Sequence, residues 1–129
     1  MEARQGAATM SSMKQLFSIQ RSTHGDVGKV RCSWDPTGRF LVTCGANRRV
    51  HVWSRSGEKV HEIALRGSGP FLDASWDSAG ETVALAQEKH SEVILWSVHT
   101  GEQQVIETSS APTFISWSRV GALLVVGSQ

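Results

Sequence analysis

The sequence predicts an all-β protein built from repeated antiparallel sheets of four short strands, about two and a half of them in 129 residues. Self-similarity is the first reason. "VRCSWDPTGRFLVTCG" from Val30, "LDASWDSAGETVALAQ" from Leu72 and "TFISWSRVGALLVVGS" from Thr113 align with Trp34, Trp76 and Trp117 in register, at spacings of 42 and 41. A fixed period of that size outranks any local motif. A second set gives the internal plan: "RVHVWSRSGE" and "EVILWSVHTGE" place Trp53 and Trp96 43 apart, followed by glycine turns at Gly57 and Gly101. The third reason is punctuation. Short β-branched and aromatic runs are separated by Gly, Asn, Asp, Pro and Ser, and no segment sustains a helical period.

In the first unit, strands are predicted over Val30 to Trp34, Phe40 to Cys44, Val50 to Trp53 and Lys59 to Leu65. The second unit repeats them over Phe71 to Trp76, Thr82 to Ala86, Glu92 to Trp96 and Gln103 to Ile106. Between the first two strands, Asp35 to Gly38 (DPTG) suits a type I turn: Pro36 presets φ, and the Asp35 carboxylate accepts backbone amides further on. Asp77 to Gly80 (DSAG) repeats that chemistry, and Ser118 to Gly121 (SRVG) keeps its serine and glycine. Cys32 is expected to face about Leu41 across this hairpin. "VILW" is apolar on both faces, as an inner strand between stacked sheets requires.

The period, the four strands and a tryptophan closing the third strand resemble the WD-repeat β-propeller family, over roughly residues 30 to 127. Residues 30–65 and 71–106 then form two blades and 113–129 an incomplete third. "MKQLFSIQ", residues 13–20, is expected as a stray outermost strand, and residues 1–12 as a disordered extension, with Met10 and Met13 as alternative starts. Propellers close with about four to eight blades, so the chain is expected to be a truncated fragment and, expressed alone, aggregation-prone or oligomeric through its open edges. The family's Trp-Asp pair is replaced by Trp53-Ser54 and Trp96-Ser97. Its Gly-His pair is replaced by His24-Gly25, reversed, and Arg66-Gly67. The buried His and Asp network of the family is accordingly expected to be absent or substituted, with tryptophan packing as the main support.

Composition narrows function by exclusion. Thirteen basic against 12 acidic side chains leave a net charge of +1, which points neither to nucleic acid nor to an acidic tail. No apolar run is long enough to insert in a membrane, and the opening residues lack the apolar core of a secretory signal. Cys32 and Cys44 form no CxxC pair, so disulfide and zinc frameworks are disfavoured, a reducing compartment is favoured, and small apolar packing is their expected role. The histidines, His24, His51, His61, His90 and His99, stand at no metal-ligand spacing; His51 reads as a tolerated face residue and His99 as a turn residue. Asp35, Asp73, Asp77, Glu81, Glu88, Glu92 and Glu102 fall mostly at turns, where capping explains them without a catalytic dyad. Gly67 to Pro70 (GSGP) is too short to cradle a phosphate and reads as an interblade turn. Arg39, Arg48, Arg49 and Arg55 form one basic cluster, expected to be solvated. No catalytic, cofactor or metal residue is predicted.

Stretches within the repeats resemble one branch of the family more closely: "MKQLFSI" from Met13, "WDSAGETVALAQEKHSEVILW" from Trp76 to Trp96, and "FISWSRVGALLVVGSQ" from Phe114. They resemble the N-terminal propeller of a core subunit of intraflagellar transport complex A. The resemblance implies a non-catalytic interaction scaffold in retrograde transport within cilia and flagella, with other complex A subunits and ciliary membrane cargo adaptors as partners. The alternatives are a generic WD-repeat adaptor in another cytoplasmic or nuclear complex and, behind it, a propeller enzyme.

Overall fold

The computed structural model describes residues 15–25, 28–119 and 123–128. The expected extension over residues 1–12, Met13 and the Val120-Gly121 pair lie outside them. After a short 3-10 turn, Arg21–His24, the first sheet is a meander of β1 (Arg31–Trp34), β2 (Phe40–Cys44), β3 (Arg49–Ser54) and β4 (Lys59–Ala64), in that spatial order. The second repeats it with β5 (Phe71–Trp76), β6 (Thr82–Gln87), β7 (Glu92–Ser97) and β8 (Gln103–Glu107). A hairpin of β9 (Pro112–Trp117) and β10 (Leu124–Ser128) follows. All pairings are antiparallel. In the first eight strands, each predicted span lies within one residue of the observed one at either end.

The capped turns set the register. The buried Asp35 carboxylate accepts from Arg39 N at 2.7 Å, Phe40 N at 3.0 Å and the Thr37 hydroxyl at 2.5 Å. Asp77 Oδ1 repeats this with Glu81 N at 2.9 Å and Thr82 N at 3.2 Å. Each turn closes on a glycine with positive φ, 75° at Gly38 and 72° at Gly80, where a side chain is disfavoured. Because the hairpin closes with Asp35 N donating to Phe40 O at 2.9 Å, leaving Pro36 to Arg39 as the loop, Trp34 pairs with Leu41 and Cys32 with Thr43. The expected Cys32 to Leu41 pairing is therefore shifted by two residues: the Asp35 carboxylate holds the Arg39 and Phe40 amides, so that Phe40 stands opposite Asp35 and the loop is four residues long.

The sheets stack face to face. Val42, Cys44, Val50 and Val52 of the first sheet bury against Ala74, Trp76, Leu85 and Trp96 of the second. The opposite face of the second sheet, with Ala84, Ala86 and Val93, buries against Ile115, Trp117, Leu124 and Val126 of the hairpin. The second sheet is thus covered on both sides, which is why β6 is buried at nearly every position and its sequence, TVALAQ, does not alternate. Hydrogen bonds between inner strands help to hold the stacking: Trp76 Nε1 donates to Ser33 O at 3.1 Å, and Trp117 N donates to Ser75 Oγ at 3.3 Å. Residues 15–20 do not form the expected strand; they hold one isolated bridge, at Ser18. They pack by side chain instead, with Ile19 buried and Phe17 against Trp53.

Candidate functional site

The chemistry-bearing residues are placed by these sheets and turns, mostly to serve them. In the first sheet, Thr43 is a polar residue in an otherwise apolar strand, FLVTC. Its hydroxyl accepts from Trp53 Nε1 at 2.8 Å and lies 2.6 Å from Nε2 of the buried His24. Trp53 can only donate, which leaves the Thr43 proton for a neutral His24 whose Nε2 accepts, a tautomer assigned from this pattern. His24 is therefore the anchor of a buried triad that ties the loop before β1 to the sheet. His24 is thus no isolated histidine, and of the two expectations for the network, absence or substitution, this unit does not show absence. The signal was a lone threonine ten residues before the tryptophan.

The second unit solves the same problem by exchange. Leu85 stands at the Thr43 position and Gln87 at the Gly45 position. A Cβ on Gly45 would meet His24 at 2.5 Å, so glycine is required there. At Gly67 the crowding is reversed, with Gln87 Oε1 2.9 Å from where a Cβ would stand. Gln87 accepts from Gly67 N at 3.0 Å and donates to Gly67 O and Gly69 O at 3.0 and 2.8 Å. One buried amide clamps the Gly67 to Pro70 turn as the His24 triad clamps its counterpart. Substitution, rather than loss, is what the degenerate repeat contains here. Thr43→Val, which keeps the shape and deletes the hydroxyl, is expected to lower stability by about 1–3 kcal/mol because buried His24 Nε2 is left unpartnered. Urea unfolding followed by circular dichroism measures it; an unchanged midpoint would refute the triad.

The remaining candidates do not converge. His51 lies on a buried face of β3, stacked on Trp53 at 5.6 Å and edge-on to His24 at 4.9 Å. Its Nδ1 lies 3.4 Å from Glu62 Oε1. Burial, and then the charge of its neighbour His51, holds His24 down at about 4. His61 Nε2 donates to Val98 O at 2.6 Å, His90 meets Glu92 at 3.0 Å, and His99 lies edge-on to Phe40. Among the described residues no group of three His, Cys, Asp or Glu side chains forms a metal-binding cluster. Asp73 Oδ1 accepts from Ala74 N, and Glu92 pairs with His90 and Arg66. Glu81, Glu88 and Glu102 are exposed.

The expected basic cluster is divided. Arg39 and Arg55 lie by the β1–β2 and β3–β4 turns, whereas Arg48 and Arg49 lie by the β2–β3 turn at the opposite end of the sheet. Strand length separates them, which the spacing in sequence conceals. Each has a structural partner: Ala79 O for Arg39, Gly38 O for Arg55, Ser68 O for Arg48 and Glu62 for Arg49. Cys44 is buried, and burial pushes its thiol up to about 12; Cys32 is exposed, against the expectation of apolar packing. Its register opposite Thr43 puts it on an uncovered inner strand.

The surface is a different matter. Trp34 is 39% exposed, so it is not core as its phase predicts; Trp76 and Trp96 are buried, and Trp53 and Trp117 half-buried. Trp34 has no sheet stacked before it among the described residues. Phe114 and Val125 are 52% and 56% exposed on the outer face of the hairpin, while Val60 and Val105 stand open on the outer strands β4 and β8. Exposed lateral faces and open edge strands are surfaces made for protein contact.

Four-stranded antiparallel meanders stacked face to face, with buried tryptophans repeating at one period, define the chain as blades of a WD-repeat β-propeller. The family model described as WDR19 first beta-propeller matches residues 30–129, and the chain belongs to that family. It is 32% identical over 119 residues to human WD repeat-containing protein 19, covering 90% of this chain and 9% of that protein. To WD repeat-containing protein dyf-2 of Caenorhabditis elegans it is 27% identical, over 82% of this chain and 8% of that one. Intraflagellar transport protein 80 homolog of Mus musculus is 25% identical, over 69% and 13%. The chain thus spans about a tenth of the length of these relatives. Among solved structures, the Cps50 (Swd1) β-propeller domain of Myceliophteria thermophila superposes with a TM-score of 0.58 at 17% identity, covering 70% of this chain and 27% of that domain, a likeness of fold alone.

Proposed function

We propose that this chain is part of a non-catalytic interaction scaffold of intraflagellar transport, acting in complex A during retrograde movement and cilium assembly, at the cilium or flagellum and its base. The observation that carries it is the family match over residues 30–129 together with the relatives named for this transport. The local chemistry supports the same reading. The buried polar groups clamp loops, and the turn carboxylates hold backbone amides, so the rigid parts serve shape. What faces outward is apolar strand edge and lateral face, the material of protein contacts. Its partners are other complex A subunits and adaptors for ciliary membrane cargo.

The test uses the full-length gene product, tagged and expressed in ciliated cells. Co-purification with the other complex A subunits and signal at the cilium base are expected. A product that co-purifies with none of them and stays out of the cilium would remove this setting and leave a general propeller adaptor.

A further inference from the structure

The basic side chains that the fold does gather lie between the first sheet and the second. A groove of about 260 Å³ opens there, at the end of the stack that carries the β2–β3 turn, the β6–β7 turn and the loop from β4 to β5. Lys29, Arg31 and Ala46 line it on the side of the first sheet, Pro70, Phe71 and Glu88 on the side of the second. Both walls are described, so one internal junction shapes the groove, whatever precedes or follows the chain. Its rim is tied down. Arg48 of the β2–β3 turn reaches across to Ser68 O at 3.3 Å, Glu88 N donates to Pro70 O at 2.9 Å, and Gln87 fastens the Gly67 and Gly69 carbonyls. A segment entering such a groove has little loop ordering to overcome.

The charge in it is unmatched. Lys29 and Arg31 are exposed, and among the described residues neither side chain makes an ion pair or a hydrogen bond; Glu88, across the groove, is exposed and stands outside ion-pair reach of both. Their neighbours differ, since Arg49 is matched by Glu62 and Arg66 by Glu92. The fold does not call for these two cations. Counted back from the phased tryptophans, the Lys29 position is Phe71 in the second unit and Pro112 in the third, and the Arg31 position is Asp73 and Phe114. Arg48 adds a further sign: it holds φ at 57°, a conformation for which glycine is the usual choice, with a long cationic side chain in its place. Its guanidinium keeps N–H donors beyond the one given to Ser68 O.

The geometry points to a docking groove for an acidic, extended segment of a partner protein, its carboxylates on Lys29 and Arg31 and a small residue between them on Ala46 and Pro70. The inference rests on the reading of the chain as an interaction scaffold, not on its assignment to complex A. The groove is smaller than the about 300–1,000 Å³ of enclosed small-molecule sites, which suits side chains of a segment lying across it. Cations set beside a short apolar floor recognise carboxylates one by one. A nucleic-acid backbone or an anionic bilayer calls for a broad basic field, and here Glu62, Glu88, Glu92 and Glu107 interrupt it.

Fluorescence anisotropy of the purified full-length gene product, with a fluorescein-labelled peptide of alternating Glu and Ala, tests the groove. Binding is expected at least about tenfold tighter than that of the Gln and Ala counterpart, and added salt is expected to weaken it. Lys29→Gln combined with Arg31→Gln is expected to weaken binding by about tenfold or more. Arg39→Gln combined with Arg55→Gln removes the same charge at the opposite end of the sheet and is expected to change binding by less than about twofold. Glu88→Gln is expected to tighten binding by removing a like charge, a direction that damage to the fold does not produce. No binding, equal effects of the two paired variants, or weakening by Glu88→Gln overturns the proposal. So does a phosphatidylserine vesicle or a single-stranded oligonucleotide that displaces the peptide and is lost with Lys29 and Arg31. A product that stays out of the cilium and still binds the peptide keeps the groove and removes complex A; one that co-purifies with complex A and ignores the peptide does the reverse.

Discussion

Trp96→Ala is expected to cost about 3–5 kcal/mol of unfolding free energy, the range for deleting a large aromatic side chain from a packed interior. Only 1% of Trp96 is exposed, and its ring lies under His61 in the cluster joining the first sheet to the second. The loss is therefore felt at the junction as well as within one blade. Small domains have about 5–15 kcal/mol in total, so the variant stands close to unfolding. Val105→Ala provides the contrast. It truncates a side chain 39% exposed on an outer strand and is expected to stay within about 0.5 kcal/mol of wild type, as surface substitutions do. Urea denaturation of both, read by far-ultraviolet circular dichroism, decides the matter; similar midpoints for the two variants would mean that the indole is not what holds the sheets together.

That prediction follows from a feature the sequence displays openly. Strands, turns and stacking are legible because their causes are local or periodic: Asp35 and Asp77 cap their own loops, and a strand without polar alternation needs a neighbour on each face. Trp76 and Trp96 are core because a sheet lies on the side they face. Trp34 has the same phase and is exposed, since phase fixes the direction of a side chain and not what waits there. His24 escaped for a related reason. Its role depends on Thr43 and Trp53, brought to it from nineteen and twenty-nine residues away, and no spacing rule within one strand links the three. The arginines show the reverse error, being close in sequence and placed at opposite ends of one sheet. In the second unit, the Gly67 and Gln87 exchange with His24 and Gly45 becomes visible only once the sheets are superposed residue by residue.

The same buried pair of rings makes the fold sensitive to mild acid. His24 is held at about 4 against an ordinary value of 6.5, first by burial and then by the charge of His51. His51 is lowered in the same direction by burial, with Glu62 opposing and Lys59 and Arg49 adding to it. With the folded value depressed, the unfolded chain takes up a proton between about pH 6.5 and 4 that the folded chain refuses. Unfolding is thus favoured as pH falls through that window, and above it the two states carry the same charge on the ring. For His24 alone the depression corresponds to about 3 kcal/mol lost by pH 4. Carboxylates do not account for the upper part of this fall. Hydrogen bonds from Thr37, Phe40 and Arg39 outweigh burial to lower Asp35 from 3.8, and Glu62 is lowered from 4.5, first by its bond from Lys59. Their contributions are lost only as pH approaches and passes below those values. Unfolding midpoints in urea at pH 7.5, 6, 5 and 4.5 are expected to drop steadily, and His24→Asn to start lower but fall less over the same interval. A midpoint flat from pH 7 to pH 5 would show that the His24 ring is charged or solvated in the folded blade, and would undo the Thr43 triad with it.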